Sequence, residues 1–199
     1  MMNKEQCRQR LDRYEQLLFT TEPERVARTP ELLGWLDRVA TNMFECPARN
    51  RGRDWDQIRQ GLECMAIEVA LSQRLGVPFS PRDDIDPSDA ESFYYDVLFE
   101  GDKLETKVHK EKWFTYPKLA LATFKKHAEK VDFLVTANLL VLPDEWRVGF
   151  RLVAQAYSFH MFLRDGNWRS ERQWYNHVVA ADYGVCRYNA IEYFAGETS

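Results

Sequence analysis

Residues 94–112 run YYDVLFEGDKLETKVHKEK. The first half is aromatic and β-branched, Gly101 and Asp102 break it, and the second half alternates apolar and polar residues, so the stretch reads as a β-hairpin. A strand presents successive side chains to opposite faces, which puts Glu105 and Lys107 on one side and Thr106 on the other. With Asp96 on the first strand, two acids and a lysine share the hairpin. Such a set is either a solvated strand surface or a metal site with a positioned amine.

Working outward, the hairpin follows a Pro- and Asp-rich connection, VPFSPRDDIDPSD, and before that a helix over 55–75, WDQIRQGLECMAIEVALSQRL, stopped by Gly76 and Pro78. Glu63 and Glu68 lie in this helix at opposite edges of its apolar face, and either one can face the sheet; Glu63 is favoured because Ala66 and Ala70 leave little bulk beside it. After the hairpin, YPKLALATFKKHAEKV reads as a helix, DFLVTANLLVLP as a buried strand, and WRVGFRLVAQAYSF as another long strand. The first fifty residues predict two helices, over 4–20 and from Thr29–Pro30 onward, as an N-terminal helical extension. Residues 51–199 then form an α/β core ending in an aromatic-rich, short-helical region. Packing explains those aromatics at least as well as base stacking does.

Composition bounds the function classes. The 199 residues are 45% hydrophobic and 29% charged, enough for one well-buried domain with an accessory part. No window resembles a membrane span, and the polar N-terminus lacks the apolar stretch of a signal peptide, so a soluble cytoplasmic protein without membrane partners is expected. Cys7, Cys46, Cys64 and Cys186 are scattered without zinc-ligand spacing. The net charge of -4 makes no global case for nucleic acid. Its distribution is uneven: residues 83–100 are acidic, and eight of nine lysines fall between residues 103 and 130. Lys103, Lys110, Lys112, Lys125, Lys126 and Lys130 are the candidate phosphate contacts, although a salt-bridged surface is the usual meaning of such runs.

An acid-x-lysine tripeptide is uninformative alone, and this composition produces more than one by chance; the chain has a single example, Glu105-Thr106-Lys107. The order of elements adds weight: a core helix with a glutamate, a strand with Asp96, a turn, a strand with Glu105 and Lys107, a helix, then two strands. Over roughly residues 54–158 this resembles the PD-(D/E)XK nuclease superfamily, with Tyr95 where the motif has proline. The resemblance implies a restriction-endonuclease-like α/β fold, a mixed central sheet flanked by helices. It also implies a Mg²⁺- or Mn²⁺-dependent DNA endonuclease of restriction, recombination or phage-associated type. Asp96 and Glu105 would be metal ligands, Lys107 the catalytic lysine, and Glu63 or Glu68 the added helix glutamate; the Thr106 backbone oxygen is a further ligand. DNA is the implied partner, with a second copy of the chain as a candidate.

The chemistry suits these residue types. A hard cation on carboxylates polarises phosphate and lowers the pKa of bound water, and an amine beside it stabilises developing charge. Two alternatives stay open. One is a non-catalytic nucleic-acid-binding or protein-interaction module on the same core. The other is a purely structural hairpin that holds no metal.

Overall fold

A computed structural model of the chain describes residues 3–47, 52–79, 96–108, 130–162, 168–169, 174–175, 181 and 184–194. Helix α1 (Lys4–Leu18) opens with a capping box between Asn3 and Gln6 and buries Cys7, Leu11, Tyr14 and Leu18, one stripe at helical spacing. A short strand β1 (Glu24–Ala27) precedes α2 (Pro30–Glu45), where Thr29 caps and Pro30 takes the first turn. Helix α3 (Trp55–Gly61) is capped by Asp54 and Gln57; a 3₁₀ turn (Leu62–Met65) joins it to α4 (Ala66–Leu75). Gly76 ends α4 in the left-handed conformation, at φ 66°.

Strands β2 (Val97–Phe99), β3 (Asp102–Val108), β4 (Phe133–Val141) and β5 (Glu145–Gln155) follow, then α5 (Ala156–Phe162). The two-residue strands β6 (Trp168–Arg169) and β7 (Trp174–Tyr175) pair with each other, and β8 (Cys186–Tyr188) joins the main sheet. That sheet has the order β1-β5-β4-β3-β2, with β8 also on β5. β3 and β4 are parallel; the other pairs are antiparallel. A parallel pair needs a long crossover, and residues 109–132 supply the length. The helix expected within that segment lies outside the described residues. The result is a mixed α/β fold with a central sheet of mixed strand direction flanked by helices.

The two faces of the sheet carry separate cores. One packs Val97, Leu104, Phe133, Val135, Ala137, Trp146, Val148 and Phe150 against the helices α1 to α4. The other sets Leu134, Leu152 and Ala154 against Phe159 and Phe162 of α5 and Cys186 of β8. The parity of β5 changes because the ladder slips between Thr136 and Ala137, which leaves Arg151 as an extra residue on β5, a β-bulge.

The first fifty residues differ from a helical extension. β1 pairs with β5 from Glu24↔Val148 to Ala27↔Glu145, and Tyr14 of α1 packs 4.9 Å from the Phe133 ring. Both are therefore parts of the main core. The expected single helix over 55–75 is α3, the 3₁₀ turn and α4 in succession, and the long strand expected to run to Phe159 ends at Gln155, where α5 starts.

Candidate metal and phosphate site at the hairpin

The hairpin turns on Glu100 and Gly101, both at positive φ (50° and 86°), with Phe99 paired to Asp102 across them. Two left-handed residues match the twist of the flanking strands, so the turn fixes the register of β2 on β3. Asp102 is buried at the start of β3 and is satisfied from α1: Tyr14 donates its hydroxyl to Oδ2 at 2.9 Å, and Arg10 pairs with Oδ1. Burial first, and then the Asp102 charge, raise the Tyr14 phenol. This network anchors the turn end of the hairpin to the helical layer.

Asp96 stands just before β2, and its N–H donates to the Leu104 carbonyl at 2.8 Å. The described β2–β3 pairs run only from Val97↔Leu104 to Phe99↔Asp102. Past them the Asp96 carboxylate bonds the β3 edge: Oδ2 accepts from the Thr106 N–H at 2.6 Å and from the Thr106 hydroxyl at 2.7 Å. Residues two apart on a strand present their backbone groups to the same edge, so the Thr106 carbonyl faces the side on which Asp96 lies.

Register separates the side chains of β3. Leu104 pairs with Phe133 of the helix-side core, whereas Glu105 pairs with Leu134 and Lys107 with Thr136 on the opposite face. Glu105 and Lys107 thus share a face, and Lys107 Nζ forms an ion pair with Glu105 Oε1. Asp96 meets Thr106, whose side chain rises from the other face, and so approaches this pair around the edge of the strand. The three groups act on one another electrostatically. Burial, reinforced by the Asp96 charge, pushes the Glu105 carboxyl up to about 7 against the pull of Lys107. Burial also works against the Lys107 ammonium, but the Glu105 and Asp96 charges outweigh it and raise its pKa.

The helical layer contributes Cys64 and Glu68. Burial pushes the Cys64 thiol up to about 11, with the Glu68 and Asp96 charges adding to it and Lys107 opposing. Glu68 thus lies close to Cys64, one turn along the helical layer. Glu63, the favoured glutamate, is placed elsewhere. Its Oε1 accepts from Arg59 at 2.8 Å and Arg28 at 3.4 Å, and its Oε2 from the Trp146 indole, at the β1–β5 end of the sheet. The 3₁₀ turn is the cause: three residues per turn instead of 3.6 rotates Glu63 away from where a continuous helix carries it.

Of the candidate phosphate contacts, Lys103 is exposed on β3 and Lys130 half-buried before β4; Lys110, Lys112, Lys125 and Lys126 lie outside the described residues. Gln155 accepts from the Ser158 N–H at 2.5 Å at the start of α5. Sequence reasoning missed Asp102, Cys64 and Thr136. Asp102 read as a turn residue, although a strand-start aspartate two residues ahead of a core leucine is a position where a buried acceptor can be suspected.

Among the described residues, no group of three or more His, Cys, Asp or Glu side chains is spaced to hold a metal ion. The donors at the hairpin are Asp96, Glu105 and the Thr106 carbonyl, all oxygens. By donor type these are the oxygens Mg²⁺ takes, one or two carboxylates with water and phosphate completing its shell. No helix among the described residues is long and apolar enough to cross a membrane. No protein-family model, curated protein or solved structure matches the chain.

Proposed function

We propose that the chain is a metal-dependent DNA endonuclease whose site is the hairpin edge formed by Asp96, Glu105 and Lys107. The observation that carries this reading is the placement of these three groups, a buried Glu105 carboxylate ion-paired with Lys107 two residues away and Asp96 bonded to Thr106 between them, with Glu105 raised by burial first and by the Asp96 charge second. Asp96, Glu105 and the Thr106 carbonyl would hold Mg²⁺ or Mn²⁺, with Glu68 behind them. Bound there, the ion supplies charge stabilisation to the phosphate and an acidified water. Lys107 keeps its ammonium beside the reacting phosphate, where a fixed positive charge favours the transition state over the ground state. The Asp96–Thr106 hydrogen bonds hold the edge backbone in place for it.

A specific observation favours a second reading, a nucleic-acid-binding or protein-interaction module without catalysis. Glu105 already has Lys107 as its counter-charge at Oε1 and Asp96 already accepts twice from Thr106, so each carboxylate has a partner within the hairpin without a metal. The test is a panel of supercoiled, linear and single-stranded DNA and RNA substrates with Mg²⁺, Mn²⁺ or chelator, run with wild type and Asp96→Asn. The endonuclease reading expects nicking of supercoiled DNA that chelator stops and Asp96→Asn nearly abolishes. Binding without cleavage of any substrate leaves the second reading in its place.

A further inference from the structure

We draw no further inference here: the strongest candidate, the side-chain cluster of Lys107 on β3 with buried Thr136 and Asn138 on β4, belongs to the hairpin site already described, and nothing among the described residues shows what the Thr136 hydroxyl would bind.

Discussion

Glu105 is the residue on which the hairpin's electrostatics turn. Its carboxyl titrates near 4.5 in an unfolded chain and, raised first by burial and then by Asp96, near 7 in the folded one. Between those values the folded state retains a proton that the unfolded state has released. The stabilisation is therefore complete below about pH 4.5 and is lost as pH rises through about 7. We expect the denaturant midpoint to fall across this window, by roughly 2–3 kcal/mol in stability, and Glu105→Gln to flatten it. An unaltered slope in Glu105→Gln places the titrating group elsewhere. At this scale the neighbourhood of the candidate residues was readable: Asp96, Glu105 and Lys107 act on one another at one hairpin, as an acid-x-lysine strand beside an aspartate suggests. The choice between Glu63 and Glu68 was not readable, because a helical wheel assumes one pitch and the 3₁₀ turn at Leu62–Met65 changes it. Arg28, Arg59 and Trp146, the groups that hold Glu63, are scattered along the chain, so no local pattern announces them.

Among the elements, β5 carries the most long-range order. Its bulge at Arg151 is matched by the C-terminal segment: the Asn189 N–H donates to the Arg151 carbonyl at 2.8 Å, and Arg151 itself donates to the Tyr188 hydroxyl at 2.5 Å. Tyr193 lies flat over Gly149, and its hydroxyl donates to the Thr20 carbonyl at 2.6 Å, which ties the C-terminal segment to the loop after α1. A Cβ at Gly149 collides with the base of that ring, which cannot move without breaking the Thr20 and Asn189 bonds. Gly149→Ala should cost about 1–3 kcal/mol, read as a lowered midpoint in chemical unfolding. Gly149→Ala in a Tyr193→Ala background should cost much less; equal costs in both backgrounds contradict the packing account. The strands β2 to β5 were legible because β-branched and aromatic runs and the Gly101 turn are local signals. β1 was not, because four residues, ERVA, between two well-capped helices carry no periodicity of their own; its identity depends on the distant edge of β5.

At the scale of the whole molecule, the mixed sheet joins the chain from end to end. β1 from the N-terminal part and β8 from the C-terminal part both lie along β5, and Arg187 of β8 donates to Asp12 of α1 at 2.5 Å and 2.9 Å. Leu11, Tyr14 and Leu18 of α1 are fully or almost fully buried against the sheet. Deleting residues 1–28 strips this cover and the β1 pairing, so the remainder should melt without a cooperative transition by circular dichroism. A truncated chain that melts sharply, near the full-length temperature, contradicts a shared core. Helix signals alone suggest an N-terminal helical extension over residues 1–50 ahead of an α/β core. Those signals show where α1 and α2 begin and do not show what they pack on.

The central claim is that the Asp96–Glu105–Lys107 hairpin edge cleaves phosphodiesters with a divalent cation. The most direct measurement is the initial rate of supercoiled-plasmid nicking at saturating Mg²⁺ by wild type and by Lys107→Ala, with the thermal midpoint of each taken alongside. The account predicts cleavage by wild type and a rate about 10²–10³-fold lower for Lys107→Ala, the loss typical of removing one transition-state stabiliser, in a protein that still folds. Cleavage by a folded Lys107→Ala at the wild-type rate, or no cleavage by wild type, contradicts it.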